Sequence, residues 1–193
     1  MVKIGILACE NTAQITEALI LILKTSNNTI TIKNNYNSED DDLLSFIYSD
    51  TDYLIIPINH KKAPKFTLDI LILDNPNNKR IITYDLVNCV RENTILIYNT
   101  DNGYLPKLEH PNAIDYGFSA SSTVGISSIE YSDYNTCSFI VSVQKPLNCL
   151  CGEIFPIGEL LTISNSDIKI ENRIPAVICS LICTRNYKNP IRI

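Results

Sequence analysis

Short apolar runs alternate with longer amphipathic ones over the first hundred or so residues, and a different rhythm follows. Val2 to Ala8 is a compact apolar run suited to a strand, and Thr16 to Lys24 carries the broader apolar face of a helix. Thr29 to Lys33 reads as a second strand. The acidic stretch Ser38 to Asp42 opens a helix through Tyr48, because carboxylates in a first turn oppose the positive end of the helix dipole. Tyr53 to Ile58 and Asp69 to Leu73 are compact enough for strands covered on both faces. Asp74-Asn-Pro-Asn-Asn78 is a turn cluster, Arg80 to Arg91 is predicted helical, and Thr94 to Tyr98 is the next strand. Strands and helices at this spacing predict an α/β fold, a mostly parallel sheet with helices on both faces.

The second half predicts a smaller antiparallel β extension. Ala113 to Tyr116, Val124 to Tyr131, Thr136 to Val143 and Leu150 to Phe155 read as strands joined by short polar turns. A last helix is expected from Asn172 to Cys183, with Ile174, Val177, Ile178, Leu181 and Ile182 on one face and Pro175 in the first turn, where its missing donor is not needed. No internal repeat interrupts this order. The 193 residues are expected to form one domain, with an α/β core over 1–105, a mainly β region over 106–170 and a terminal helix and tail over 171–193. At this size roughly 70% of the unfolded surface can be buried.

Composition narrows the function classes. With 45% hydrophobic and 19% charged residues the chain reads as globular, and a net charge of -5 with 16 scattered Lys and Arg argues against a nucleic-acid partner. The apolar run Ala18 to Leu23 is too short to span a bilayer, and only Lys3 precedes it where a signal peptide carries its charges, so no membrane association and a cytoplasmic location are expected. Seven cysteines at irregular spacing predict reduced, mostly buried thiols. Cys149, Cys151, Cys179 and Cys183 leave two readings open, a set of zinc ligands or core thiols. Their spacing suits core packing better, and no metal is expected.

The segment "ILIYNTDNGYL", Ile95 to Leu105, is a strand ending in Asn99-Thr-Asp101-Asn102, and "AIDYGFSASSTVGISSIEY" follows with Tyr116-Gly117. "KIENRIPAVICSLI" carries Glu171-Asn172 and Pro175-Ala176 at the start of the last helix. In this order the three segments resemble the central, ATP-binding domain of the Mur ligases, the amide-forming enzymes of peptidoglycan synthesis, whose P-loop-like fold folylpolyglutamate synthetases share. The resemblance runs over nearly the whole chain. It places a phosphate loop at "ACENTA", Ala8 to Ala13, and makes Asn99, Asp101, Asn102, Asn172 and Arg173 candidate nucleotide contacts.

The family's chemistry implies residues that are not here. Its phosphate loop uses glycines to bring backbone donors to phosphate oxygens and a lysine to neutralise charge. Cys9, Glu10, Asn11, Thr12 and Ala13 supply neither, and Glu10 adds a repulsive charge. The family's magnesium-binding glutamate is missing, since no Glu lies between Glu39 and Glu92. Its Asp-His pair is also missing, since the turn at Asp74 is followed by no His before His110. From Arg80 to Pro106 there is no Lys to be carbamylated.

The chain is therefore expected to be a degenerate, stand-alone version of the central domain without ligase activity and without a cofactor. ATP and Mg enter only if the nucleotide site survives. Its role is expected to be binding or assembly, with another protein or with itself. The alternative is a residual nucleotide or cell-wall-precursor site. New chemistry at His60, Cys9 or Asp74 ranks last, because no nucleophile is spaced with a base. Asn11 and Thr12 are expected to cap the first helix, and Glu171, Asn172 and Arg173 to serve the start of the last one.

Overall fold

The computed structural model describes residues 1–8, 11–24, 28–33, 50–58, 64–74, 89–101, 110–132, 136–164, 168–183 and 190–192. The helix expected over 38–48, most of that over 80–91, the turn after Asp74, and Cys9, Glu10, His60 and Asn102 lie outside the described residues. The elements run β1 (Val2–Leu7), α1 (Thr12–Lys24), β2 (Ile30–Ile32), β3 (Tyr53–Pro57), β4 (Ile70–Leu73), β5 (Ile95–Asn99), β6 (Ala113–Tyr116) and β7 (Val124–Tyr131). They continue through β8 (Cys137–Val143), β9 (Leu147–Asn148), β10 (Ile154–Phe155), β11 (Gly158–Ser164), α2 (Ile170–Cys183) and β12 (Ile191–Arg192).

Ten strands make one sheet in the order β12-β11-β8-β7-β6-β5-β4-β1-β3-β2, and β9 pairs with β10 separately. Neighbours from β2 to β7 are parallel. Direction reverses at β7 with β8 and at β8 with β11, and β12 returns parallel to β11. This is the expected α/β sheet, mostly parallel with a smaller antiparallel part.

The parallel strands are apolar on both faces, with isoleucines prevailing on one and leucines on the other. Ile4, Ile6, Ile55, Ile70, Ile72, Ile95 and Ile97 point to the side where α1 and α2 pack. Leu54, Leu71, Leu73 and Leu96 point to the other, where Leu68 and Cys89 join them. Alternation along each strand sends successive residues to opposite faces, so these runs need two covers. Gly5 on β1 serves that packing, because a Cβ there would stand 2.6 Å from Leu68 Cδ1 and 2.7 Å from Ile58 Cδ1.

Four expectations are corrected. β6 belongs to the parallel set, paired with β5, and antiparallel pairing begins only at β7 with β8. Leu150 to Phe155 is not one strand but the turn and second arm of the β9–β10 hairpin, with Gly152 at φ 82°. β11 and β12 were not anticipated, because the inward positions of "GELLTIS" are Leu160, Thr162 and Ser164, two of them polar. The last helix starts at Ile170, two residues earlier than expected, so Pro175 lies beyond the first turn.

α2 also buries far more than one face. Twelve of its residues, Ile170 and Asn172 through Ile182, are buried, as expected of a helix enclosed on several sides. α1 packs along it, and its last carbonyls are met from the hairpin: Leu150 N donates to Ile182 O at 2.9 Å and the Cys149 thiol to Leu181 O at 3.7 Å. Those carbonyls have no partner within the helix, so the hairpin closes its end.

Candidate functional site

Open parallel sheets gather ligands beyond the carboxyl ends of their strands, and four strands of this sheet end in polar residues that meet one another. Asp74 follows β4 and is 3% exposed. Its Oδ2 accepts from Asn11 Nδ2 at 2.9 Å, and its Oδ1 accepts from Asn99 Nδ2 at 3.0 Å. Asn11 belongs to the turn after β1 and Asn99 closes β5, so one carboxylate ties together the ends of three strands.

The neighbouring strands extend this cluster. Asn99 Oδ1 accepts from Asp101 N at 3.0 Å, which folds the chain back just after β5. Asp101 Oδ2 then accepts from Phe118 N at 2.7 Å. The Asp101 carboxylate lies so close to Gly117 that a Cβ there would stand 2.6 Å from Oδ1. The Asn99-x-Asp101 and Tyr116-Gly117 segments, far apart in sequence, thus form one joint. The Tyr116 hydroxyl is buried beside Asp74 and Asn99 and completes no hydrogen bond among the described residues. Burial, and next the Asp74 carboxylate, hold it well above the usual tyrosine range.

A second polar group lies on the β7 side. Thr100 Oγ1 donates to Tyr116 O at 3.0 Å and lies 3.1 Å from Ser122 Oγ. Thr123 donates to Asp115 on β6, and Lys145 Nζ reaches Thr123 Oγ1 at 3.5 Å. Burial, then Asp115, raises the Tyr98 hydroxyl.

The structure places the sequence candidates as follows. α1 begins at Thr12, directly after Asn11 and one turn ahead of the apolar face at Thr16 to Lys24, so Thr12 and Ala13 lie in its first turn. Asn11 stands just before the helix and its carbonyl accepts from Ile15 N at 3.0 Å, while its side-chain amide reaches out to Asp74. Asn172 turns to α1 rather than capping α2: its Nδ2 donates to Gln14 Oε1 at 2.6 Å. Arg173 is buried in the first turn of α2, 2% exposed. Asn11, Asn99, Asp101 and Asn172 are therefore gathered along the carboxyl edge. Tyr116, Gln14, Asp115, Thr123 and Lys145 were not singled out as site residues, and the only signal for any of them was the Tyr116-Gly117 pair.

The four cysteines weighed as zinc ligands are free thiols in different settings. Cys179 is buried, Cys149 and Cys183 are half-buried, and Cys151 is exposed. Among the described residues no group of His, Cys, Asp and Glu has the arrangement of a metal site. Among them, too, no helix is long and apolar enough to cross a membrane.

No protein-family profile and no curated protein sequence matches the chain. Solved structures do. The MurF ligase of Thermotoga maritima in complex with ADP aligns over 93% of this chain and 44% of its own, at TM-score 0.57 and 16% identity. A UDP-N-acetylmuramoyl-L-alanyl-D-glutamate–2,6-diaminopimelate ligase aligns over 93% of this chain and 43% of its own, at TM-score 0.63 and 10% identity. A mutant L. casei FPGS aligns over 94% of this chain and 58% of its own, at TM-score 0.52 and 7% identity. The chain spans about half the length of the structures it matches. The likeness establishes an architecture: the chain has the α/β fold that Mur ligases share with FPGS.

Proposed function

We propose that this chain is a binding or assembly module built on the Mur-ligase fold, in which ATP-dependent amide ligation has been given up and the partner is a protein. The observation that carries this reading is the Asp74 carboxylate bound between Asn11 and Asn99. In a phosphate loop the turn after the first strand offers donors and positive charge to phosphate oxygens. Here its side-chain donor at Asn11 is already engaged, and the group that engages it is itself an anion. A carboxylate and a phosphate oxygen a few ångströms apart repel by about 1 to 4 kcal/mol between water-like and half-wet surroundings. A turn without lysine supplies no side-chain cation to offset that repulsion, and one without glycine restricts how closely its backbone can approach an oxygen.

The test is calorimetric titration of the purified protein with ATP and magnesium, followed by a thermal-shift screen with nucleotides and cell-wall precursors. No heat of binding and no shift are expected. Micromolar binding of ATP, or its hydrolysis, overturns the reading in favour of a surviving nucleotide site.

A further inference from the structure

The first half of β7 lies between β6 and β8, and the second half runs on past the end of β6 with β8 still beside it. β6 pairs with β7 only through Tyr116 and Val124, with Gly117 N donating to Val124 O at 3.1 Å. A bulge falls between Ile126 and Ser128, and all five residues from Ser127 to Tyr131 are exposed. Bulges bend a strand and increase its twist, and beyond this one β8 is the strand's one neighbour among the described residues.

The hydrogen-bond register shows which backbone groups are open. Ser132 N donates to Thr136 O at 2.9 Å, so residue 132 faces β8. Alternation along an antiparallel strand then turns the N–H and C=O of Ser128 and Glu130 toward β8, and those of Ile129 and Tyr131 away from it. No hydrogen bond to the outward groups comes from any described residue. Their side chains are also apolar and open, with Ile129 37% and Tyr131 77% exposed. Lysines and prolines commonly keep such edges from pairing, and the run Val124 to Tyr131 contains neither.

We infer that this edge of β7 is a strand-pairing site and that its occupant is the same edge of a second copy of the chain. The inference rests on the reading of the chain as an assembly module and names the surface. An antiparallel pairing about a two-fold axis through Ile129 sets the outward groups of the two Ile129 residues against each other. It places Glu130, the one charged residue of β7, opposite Ser128 of the second copy. Centring the axis on Glu130 instead would set two carboxylates face to face, which disfavours that register. The Ile129-centred register is self-complementary and closes on two copies. A strand pair this short buries less than the roughly 800 Å² per partner of a standard interface, so the dimer is weak and concentration-dependent.

Sedimentation velocity of the full chain over a roughly hundredfold concentration range should show monomer passing to dimer. Over the same range, amide hydrogen exchange at Ile129 and Tyr131 should slow at least several-fold, while Ser128 and Glu130, already bonded to β8, should not change. Ile129→Pro removes an outward donor without touching the β8 ladder, and Tyr131→Lys adds a charge to each copy. Either should leave a monomer. A chain that stays monomeric throughout overturns the proposal, as does a dimer whose Ile129 and Tyr131 amides exchange at the monomer's rate. ATP binding would overturn the proposed function and leave the edge pairing standing. A monomer would overturn the pairing and leave the loss of ATP binding standing.

Discussion

At the carboxyl ends of β4 and β5 polar side chains turn inward onto one another, whereas along the far end of β7 polar backbone groups turn out to solvent. Both regions lie in one sheet, and the difference follows from how they are covered. The parallel strands are apolar on both faces, so Asp74 and Asn99 at their ends are buried and need partners. Asp74, Asn11 and Asn99 meet that need with two hydrogen bonds to one carboxylate. The second half of β7 is exposed at every position, and water can serve groups that no strand serves. In a fold whose ligands usually sit at the carboxyl edge, the Asp74 carboxylate at that edge is engaged by its own neighbours among the described residues, whereas the outward backbone groups along the far end of β7 are open to solvent.

The hardest way to break this comparison is at Asp74. Asp74→Ala removes the shared acceptor and strands the buried Asn99 amide, which costs about 1 to 3 kcal/mol when unsatisfied, while the half-buried Asn11 amide can turn to water. A loss of about 2 kcal/mol or more is expected in urea denaturation. Tyr116→Phe is the internal control. Its hydroxyl completes no hydrogen bond among the described residues, so deleting it should leave stability within about 1 kcal/mol of the parent. If Asp74→Ala costs no more than Tyr116→Phe, the cluster is not the inward-facing joint described here.

Gly117 tests the same joint from the opposite side, with a smaller effect. A methyl at Gly117 would stand 2.6 Å from Asp101 Oδ1, a carboxylate already held by Phe118 N. Overpacking of this kind costs about 1 to 3 kcal/mol. In an Asp101→Ala background the obstructing group is gone, and the cost of Gly117→Ala should drop below about 0.5 kcal/mol. Contacting residues couple in this way and distant ones do not. Additive effects in the double-mutant cycle would show that the Asn99-x-Asp101 and Tyr116-Gly117 segments do not meet as described.

How far the sequence announced these features depends on what each region buries. The parallel strands were legible to within a residue or two, because double burial writes Ile and Leu into every position of runs such as Ile70 to Leu73. β11 was missed because Thr162 and Ser164 occupy inward positions, which leaves no period of two in hydrophobicity. α2 was foreseen as a helix but with one buried face, since nothing local records that α1 and the hairpin enclose the rest. At the carboxyl edge the individual residues were visible and their partners were not. Asn11 read as a cap, because Asn before a helix usually is one. That its amide reaches a carboxylate 63 positions away depends on β4 lying beside β1, which is a fact of topology rather than of spacing.

The gentlest test compares thiols that face inward with one that faces out. Burial pushes Cys89 from 9.0 to about 11 and Cys183 from 9.0 to about 12, Cys183 with added repulsion from Asp69. It also raises Tyr53 from 10.0 to about 12. All three are neutral acids whose folded values lie above their unfolded ones. The stability they contribute is fully present below pH 9.0, the ordinary thiol value. It declines as the unfolded chain ionises and the folded one does not, and is lost as pH rises through the folded values of about 11 to 12. The melting temperature should therefore fall progressively above about pH 9, and Cys89→Ala should flatten part of that slope. Cys151, exposed on the turn of the β9–β10 hairpin, should be alkylated well before Cys89 or Cys179 at about pH 8, because only an accessible thiolate reacts. Equal labelling rates, or a melting temperature flat to about pH 11, would show that the inward half of the sheet is not closed to water in the way its double burial requires.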